Sequence, residues 1–289
     1  MAKADRKIIL ETGPNILMRC RYGYMVFNRL DEYIGRSLEH YGEYNGAEGN
    51  FLCAMLSPGQ TVVEVGANIG THTIALGQAV GATGQVIAFE PQAGAFQLLC
   101  ANVALNNLAQ VKTLAIAVGA KSGHIKMPRM DYTKPGNFGA VTATDLSTAP
   151  SAAPHRDGDI VPLGRLDDML RLKNCRLLKV DAEGMELETL QGAETLIKQH
   201  QPILYVENDR KDKSPALISF ILGLGYSLYW HTPLLFHADN FFENDAYIFA
   251  RERIASINMV AAPPGTVVAN MKGREITRPD DWWRDRLGK

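Results

Sequence analysis

Acidic side chains follow two predicted strands in the second half of the chain. Arg176 to Val180 is a short, mostly apolar run followed by Asp181, and Ile203 to Val206 is a similar run followed by Glu207. Parallel strands of an open α/β sheet bring their carboxyl ends to one rim, which is where ligands bind. The sequence therefore predicts that these acids meet at a single site.

Carboxylates crowded in this way could act as a base. A carboxyl group with its usual pKa of about 4 removes a proton from an alcohol poorly, and like charges nearby raise that pKa. Asp181, Glu183 and Glu207 are the candidate catalytic residues, and Asp181 could also orient the acceptor. Glu186 fits a structural role better, because an acid is favoured in the first turn of a helix.

A glycine-containing turn lies near the start of the predicted sheet. Thr61 to Val65 predicts a buried strand, and the turn from Gly66 to Gly70 leads into an apolar-periodic helix. Glycine accepts positive φ and lets a ligand approach the backbone, and Asn68 tolerates the same conformation better than most residues. This turn is predicted to contact a ligand.

The next strand supplies an acid that suits a nucleoside. Gln85 to Phe89 predicts a buried strand before Glu90, whose carboxylate could accept hydrogen bonds from two ribose hydroxyls. A dinucleotide site would need glycines at 66, 68 and 71, whereas the chain has Asn68 and Thr71. Glu64 can instead face the amino end of an amino-acid moiety. This combination suits S-adenosylmethionine.

Four segments form a pattern that is more specific than any one of them. They are Glu64-Val-Gly-Ala-Asn-Ile-Gly70, Ala88-Phe-Glu-Pro91, Leu178-Lys-Val-Asp-Ala-Glu-Gly-Met-Glu186 and Asn258-Met-Val-Ala-Ala-Pro263. Together they resemble the FkbM family of S-adenosylmethionine-dependent methyltransferases, over roughly residues 20 to 265. The family more often has Asp at the position of Glu64, which keeps the carboxylate.

The resemblance implies an α/β fold, namely a Rossmann-like class I methyltransferase sheet with helices on both faces. It implies S-adenosyl-L-methionine as the cofactor. We expect a small N-terminal β/α extension at 1–57, a methyltransferase core at 58–262 with a substrate-cap insertion at about 128–160, and a C-terminal tail at 263–289. The insertion is rich in Gly, Pro, Ser and Thr, which is typical of a loop that covers a site.

The cofactor site can be predicted residue by residue. The segment before the turn resembles one in the family where an acid lies near the cofactor, so Glu48 could hold the methionine end or, equally, favour the first turn of a helix. His72 begins a helix beside the turn. By topology, Asn106 and Val118 lie near the adenine. The predicted cofactor-binding residues are Glu48, Glu64, Gly66, Asn68, Gly70, His72, Glu90, Asn106, Val118 and Asp181.

Other residues are alternatives for contact with the acceptor. Tyr41 or Glu43 could face it, in the segment that precedes the glycine turn. His231 and His237 lie in a predicted bridging region near the rim, and either could serve as the base because histidine titrates near neutrality.

The predicted activity is methyl transfer to an oxygen, or to an amide nitrogen, of a natural product, sugar or peptide. One alternative is a Mg²⁺-assisted O-methyltransferase of the catechol type, with Asp181, Glu207 and Asn208 as oxygen ligands; the main prediction includes no metal. Another is a module that binds the nucleoside without transferring methyl. The glycine spacing disfavours a nucleotide-sugar or NAD enzyme.

Several elements can be predicted outside the site. Three short N-terminal strands are expected, followed by a third core strand over Val111 to Val118. One helix is expected over Met185 to Gln199, and a closing hairpin should pair Tyr226 to Trp230 with Ala246 to Ala250. The tail with Trp282 could dock on this domain or on the second subunit of a homodimer.

The composition excludes no class of partner, but it does not support binding to nucleic acid or to a membrane. The 289 residues include 30 basic and 31 acidic side chains, so the net charge of −1 offers no footprint for nucleic acid or an anionic membrane. The four cysteines are far apart in sequence and are expected to be free thiols. No apolar leader or membrane-length stretch is apparent, which favours a cytoplasmic protein.

Overall fold

The computed structural model describes residues 7–140, 144–145, 158–249, 254–266, 268 and 271–286. Most of the middle of the predicted cap insertion and the last residue of the strand expected from Ala246 to Ala250 lie outside these residues. Within them, no helix is both long enough and apolar enough to cross a membrane.

Strands and helices alternate along most of the described chain. The strands are β1 (Ile8–Thr12), β2 (Asn15–Cys20), β3 (Gly23–Asn28), β4 (Thr61–Val65), β5 (Gln85–Phe89), β6 (Val111–Leu114), β7 (Ala117–Val118), β8 (Gly123–Pro128), β9 (Thr144–Asp145), β10 (Gly158–Gly164), β11 (Leu177–Val180), β12 (Ile203–Glu207), β13 (Ser227–His231), β14 (Asn258–Ala262) and β15 (Glu275–Ile276). The helices are α1 (Ile34–Tyr41), α2 (Gly46–Ala54), α3 (Thr71–Val80), α4 (Ala93–Leu105), α5 (Leu166–Met169), α6 (Glu186–Gln191), α7 (Glu194–His200) and α8 (Ser214–Gly223), with a short 3-10 helix at Trp283–Arg286.

A central sheet organises the fold. Among the described residues its strand order is β15-β13-β14-β12-β11-β4-β5-β6, and the five strands from β12 to β6 are parallel. Strands β14, β13 and β15 close it in antiparallel pairs. This confirms the predicted Rossmann-like class I methyltransferase fold.

Both faces of the parallel strands are buried, which explains their nearly continuous apolar sequences. In β4, for example, all five residues are buried. Val63 and Val65 pack on one side with Leu190, Ile197 and Ile218 of the helices α6 to α8. Val62 packs on the other side with Leu52, Leu76 and Val80 of α2 and α3.

Two expectations about the strands are wrong. The segment from Val111 to Val118 is not one strand, because β6 ends at Leu114 and β7 joins a separate sheet with the order β7-β10-β8-β9. Strand β13 pairs with β14 rather than with residues 246–249, which form no strand. All five residues of β14 are buried, whereas Phe249 packs against Tyr41 of α1.

The helix expected over Met185 to Gln199 is divided at Gly192. A Cβ at this position would lie 2.1 Å from the carbonyl oxygen of Gly119, so the close packing there requires glycine. Helix α6 ends before it, and α7 begins at Glu194.

The C-terminal tail docks on the same chain. The ring of Trp282 is buried and meets the ring of Trp230 edge-on, with 6.0 Å between the centroids. The Nε1–H of Trp230 also donates to Asp281 at 3.1 Å. The tail is thereby fixed against β13.

Candidate functional site

A cavity of about 1140 Å³ opens at the carboxyl ends of the parallel strands. Its walls also include residues of the N-terminal segment, the insertion, the chain after β13 and the tail, such as Tyr44, Phe138, Leu235 and Trp283. Acidic groups outnumber basic ones on this surface. Among the described lining residues, the carboxylates are Glu48, Glu64, Glu90, Asp181, Glu183, Glu207 and Asp209, and the cations are Lys179 and Arg284.

The glycine turn forms part of the cavity wall. Gly66 has φ of +79°, and a Cβ there would lie 1.7 Å from the carbonyl oxygen of Asp181. Only glycine therefore allows the chain segments that follow β4 and β11 to lie so close together. Asn68 has φ of +49° and also lines the cavity. Gly70 has φ of +90° but is not part of the wall, and its α carbon faces Leu99 instead.

Glu90 is held by the turn beside it. Its two carboxylate oxygens accept the backbone N–H groups of Asn68 and Gln92, each at 2.8 Å. Burial raises the pKa of Glu90 to about 7. Each oxygen keeps a second lone pair that can accept a hydrogen bond from a ligand hydroxyl. Contact of Glu90 with a ribose stays a prediction.

Glu64 and Lys179 form a buried pair of strand residues. They are neighbours in register on β4 and β11, and both are almost fully buried. Thr73 donates its hydroxyl to Glu64 at 2.6 Å, and the Nζ of Lys179 lies 3.2 Å from Oδ2 of Asp181. Burial raises the pKa of Glu64 to about 7, although the charge of Lys179 opposes this shift.

Glu48, a third buried acid of the cavity wall, lies in the first turn of α2. The side-chain amides of Asn45 and Asn258 donate to its Oε2 at 2.6 and 3.4 Å. Burial raises the pKa of Glu48 to about 7. The Nδ1 of His72 is 3.8 Å from its other oxygen.

His72 presents an unsatisfied nitrogen to the cavity. Burial, together with the charge of Lys179, lowers the pKa of His72 to about 3, so the ring is neutral. Its Nε2 is buried and has no hydrogen-bond partner in the part of the chain that the structure describes. A buried polar atom without a partner on a cavity wall is suited to a ligand.

The predicted catalytic acids are close together. One carboxylate oxygen from each of Asp181, Glu183 and Glu207 lies within 4.8 Å of the other two. Burial, followed by the charge of Asp181, raises the pKa of Glu183 to about 8 and that of Glu207 well above its usual value. We refer to these three residues as the acid cluster.

Cations already accompany two members of the acid cluster. Arg210 donates to Glu183 at 3.1 Å, and Lys179 contacts Asp181. Oε2 of Glu207 is buried and has no hydrogen-bond partner among the described residues. Glu186 takes the structural role predicted for it, since its Oε1 accepts the backbone N–H groups of Ala182 and Gly184.

Asn208 is not part of the site. Its side-chain amide points into the interior, where it donates to Ser214 at 2.9 Å and contacts the sulfur of Met259. The predicted set of Mg²⁺ ligands is therefore wrong for Asn208. Glu183, not Asn208, lies beside Asp181 and Glu207. Alternation along a strand end explains the difference, because neighbouring residues point to opposite sides.

The two residues predicted near the adenine have different locations. Val118 lines the cavity. Asn106 does not, because its side chain pairs with the backbone of Tyr24, accepting its N–H at 2.9 Å and donating to its carbonyl at 2.7 Å. Asn106 lies at the end of α4, away from the carboxyl ends of the strands, and its assignment to the cofactor is wrong.

The alternative acceptor contacts also lie elsewhere. The hydroxyl of Tyr41 donates to the carbonyl of Ala246. Glu43 pairs with Arg21 and with His237. His231 is buried and shares a hydrogen bond of 2.8 Å with Tyr205. Of the described residues that line the cavity, none is Tyr41, Glu43, His231 or His237.

Lys179 is a charged residue of the cavity wall that the sequence pattern did not predict. A lysine two positions before Asp181, inside an otherwise apolar strand, was the available signal. Lysine is almost never fully buried unless it is paired. Here the carboxylates of Asp181, Glu64 and Glu48 favour its charged form and raise its pKa, although burial opposes this.

Part of the chain is similar to known proteins. Among curated proteins, methyltransferase sdnD of Sordaria araneosa is 29% identical over 157 residues, which are 46% of this chain and 60% of that protein. The chain therefore matches less than two thirds of that relative's length.

Two solved structures resemble the fold. Methyltransferase FkbM from Methylobacillus flagellatus KT has a TM-score of 0.45 and 17% identity, covering 71% of this chain and 43% of that one. An O-methyltransferase from Bacillus cereus, in complex with SAH, has a TM-score of 0.45 and 12% identity, covering 75% and 80%. The family profile described as the methyltransferase FkbM domain matches residues 64–228, more than half of the chain. The chain therefore belongs to the FkbM family of methyltransferases.

Proposed function

We propose that this enzyme uses S-adenosyl-L-methionine to methylate an oxygen, or an amide nitrogen, of a natural product, sugar or peptide acceptor. The observation that carries the proposal is the acidic cavity at the strand ends, with the Gly66 turn and Glu90 in its wall. Its volume of about 1140 Å³ exceeds the range of about 300–1,000 Å³ common for single-ligand pockets. The cofactor and an acceptor can therefore lie side by side.

The charge of the wall favours this cofactor over a dinucleotide. S-adenosylmethionine carries a sulfonium and an ammonium group, and the lining acids stabilise cations in a partly desolvated site. A dinucleotide would bring an anionic pyrophosphate toward Glu48, Glu64 and Glu90. That approach would be repulsive wherever these carboxylates are ionised.

The lining residues fit the parts of the cofactor in order. We assign the ribose hydroxyls to Glu90 and the adenine to the side of Val118. The ammonium group is assigned to Glu64 and Glu48, and the unpartnered Nε2 of His72 is assigned to the carboxylate, to which it donates in the tautomer with the proton on Nε2. Gly66 has no side chain, so the ligand can lie close to the backbone there.

The acid cluster supplies the remaining chemistry. When bound, the cofactor supplies a methyl group already activated by the sulfonium, so the chain needs no covalent nucleophile. Asp181, held by Lys179, orients the acceptor. Glu183 takes the acceptor's proton with Glu207 beside it, and the raised pKa of Glu183, about 8, suits a base that operates near neutral pH.

Calorimetry tests the cofactor assignment. We expect S-adenosylmethionine and S-adenosylhomocysteine to bind with micromolar affinity and NAD not to bind. Glu90→Ala should weaken both adenosyl ligands by about tenfold or more, from the loss of hydrogen bonds to the ribose. Glu188→Ala, which removes an exposed acid of α6, is the matched control and should change neither. Binding of NAD alone would refute the proposal.

An acceptor screen then separates an enzyme from a binding module. Release of S-adenosylhomocysteine is measured with pooled phenols, sugars, hydroxy acids and peptides. Transfer to any of them supports the proposal. Tight cofactor binding without transfer to any pool would favour the non-catalytic alternative.

A second candidate is transfer assisted by Mg²⁺ in the acid cluster. It is favoured by the mutual approach of the three carboxylates within 4.8 Å. We rank it second because Lys179 and Arg210 already compensate two of them. Activity that EDTA abolishes and Mg²⁺ restores, with calorimetric Mg²⁺ binding lost in Glu207→Gln but kept in Glu188→Gln, would make it the better description.

A further inference from the structure

The C-terminal tail contributes two residues to the wall of the cavity. Trp283 and Arg284 belong to the short 3-10 helix, and both line the cavity. The residues just before them fix this helix to the chain, because Trp282 is buried against Trp230 and Asp281 accepts the Nε1–H of Trp230. Arg284 is therefore held at the cavity, although it is exposed to solvent.

Arg284 is a cation of the wall that no carboxylate compensates within the described residues. The other cation, Lys179, is buried and contacts Asp181. The Cζ of Arg284 instead lies 5.1 Å from the centroid of the Trp283 ring. A guanidinium stacked on an aromatic face keeps its N–H donors for a partner in the guanidinium plane. Arg284 is thus positioned by Trp283, with its donors unused.

The order of the central sheet separates Arg284 from the proposed cofactor side. This part of the sheet runs β13-β14-β12-β11-β4-β5. Gly66 and Glu90 follow β4 and β5, whereas the tail docks on β13 through Trp230. The acid cluster follows β11 and β12, between the two. A ligand group at Arg284 therefore belongs to the acceptor and not to the cofactor.

The wall beside the tail also has an apolar part. Leu234 and Leu235 follow β13, and Ile257 directly precedes β14, the neighbouring strand. All three line the cavity, and Leu234 is 42% exposed. An acceptor with an apolar body would remove this surface from water, which favours its binding.

We propose that the acceptor carries a carboxylate on an apolar body, and that Arg284 binds this carboxylate while the acid cluster receives the oxygen or amide nitrogen to be methylated. This inference rests on the proposed function, because it divides the cavity between a cofactor and an acceptor. A guanidinium matches a carboxylate with two parallel hydrogen bonds. Seven acidic residues line the cavity, so a group with a single negative charge is repelled less than a phosphate with two.

Paired ligands test the inference by binding alone. The protein saturated with S-adenosylhomocysteine is titrated by ligand-observed NMR with hydroxy acids and their primary amides, and with peptides whose C-terminus is free or amidated. Acids should bind about tenfold or more tightly than the paired amides, because hydrogen bonds between charged groups are the strong ones. Arg284→Gln should remove this difference.

Arg278→Gln is the matched control for this titration. Arg278 is an exposed arginine of the same tail that does not line the cavity, and its substitution should keep the preference for acids. Absence of binding by every acid, equal binding of acids and amides, or a preference that survives Arg284→Gln would each overturn the inference.

Two further measurements separate this inference from the proposed function. Affinity for S-adenosylhomocysteine should be the same in Arg284→Gln and the wild type, and a loss would assign Arg284 to the cofactor and overturn the inference. With an acid that is methylated, Arg284→Gln should raise KM by about tenfold or more and leave kcat within about twofold, as expected for a contact away from the reacting atoms.

The two proposals fail in different ways. Acids that bind through Arg284 without any release of S-adenosylhomocysteine would support the binding of carboxylates and refute methyl transfer. Methyl transfer at equal rates to acids and amides would support the proposed function and overturn the role of Arg284.

Discussion

At the scale of single residues, burial converts ordinary acids into groups that titrate near neutrality. The pKa of Glu48, Glu64 and Glu90 is raised to about 7 in each case, with desolvation as the first cause. Lys179 has its charge stabilised by the acids around it. A site built in this way binds a cation more tightly when its carboxylates lose their protons.

The acid cluster gives a prediction at this scale. Glu207→Gln should lower kcat by about 100-fold or more with an acceptor from the screen, because it removes one of the two carboxylates proposed to take the proton. In the wild type, kcat should rise with pH as the acid cluster, in which Glu183 and Glu207 have raised pKa values, loses a proton. This rise should be lost in the variant.

Titration by NMR of carbon-13-labelled glutamate checks the acid cluster without an acceptor. Asp181→Asn removes the like charge that, after burial, raises the pKa of Glu183, so this pKa should fall from about 8. Glu188→Gln, on the exposed face of α6, should change neither kcat nor this pKa. An unchanged kcat that still rises with pH in Glu207→Gln would remove Glu207 from the mechanism.

At the scale of elements, the turn from β4 to α3 sets the distance between two strand ends. Gly66 and the backbone of Asp181 are so close that no side chain fits between them. Helix α3 begins at Thr71, after a left-handed Gly70, and carries Thr73 and His72 to the acids of β4 and α2. The geometry of the site thus depends on backbone contacts as much as on side chains.

Gly66→Ala tests this contact against a matched variant. Gly13→Ala also places alanine at positive φ, +56° against +79°, but nothing lies within 4 Å of the added Cβ. Gly13→Ala should cost about 1–2 kcal/mol, the usual penalty of the left-handed conformation. Gly66→Ala should cost several kcal/mol in urea unfolding and abolish binding of S-adenosylhomocysteine. Equal losses of stability in the two variants would contradict the contact.

At the scale of the whole molecule, the cavity is assembled from distant parts of the chain. The strand ends provide the acids, and residues from the N-terminal segment, the insertion, the chain after β13 and the tail form the surrounding walls. Several buried carboxylates in one cavity must retain protons for the unliganded protein to be most stable. Stability and cofactor binding should therefore depend on pH together.

Between pH 6.5 and pH 8 the stability of the unliganded protein should fall. The pKa of Glu48, Glu64 and Glu90 is higher in the folded state than the usual 4.5, so their contribution is lost as the pH rises through about 7. His237, whose pKa is also raised by its carboxylate partners, acts in the same direction. The decrease should be on the order of 2 kcal/mol in urea unfolding.

Added S-adenosylmethionine should reverse part of this decrease, because it binds the ionised carboxylates. Its affinity should rise with pH, and calorimetry in two buffers should detect proton release on binding. His72, with its pKa lowered to about 3, is neutral throughout this range and does not oppose the effect. Glu48→Gln should flatten the dependence of stability on pH, and a stability that rises from pH 6.5 to pH 8 would be incompatible with these shifts.

The sequence by itself determined the parallel core and the place of its acids. Strands β4, β5, β11 and β12 are apolar or β-branched runs buried on both faces, so their composition alone marks them. Carboxyl ends of parallel strands share one rim, so the position of Glu90, Asp181 and Glu207 followed from topology. The positive φ of Gly66 and Asn68 was similarly readable from residue type.

Only the tertiary structure decided which segments and side chains meet. Asn106 closes the edge of β3, Lys179 enters the interior beside Glu64, and Asn208 turns inward. β14 rather than residues 246–249 pairs with β13. A local pattern specifies the period of an element and the residues of its turns. The partner of an edge, and the side on which the last residue of a strand points, depend on competition between segments that are far apart in the chain.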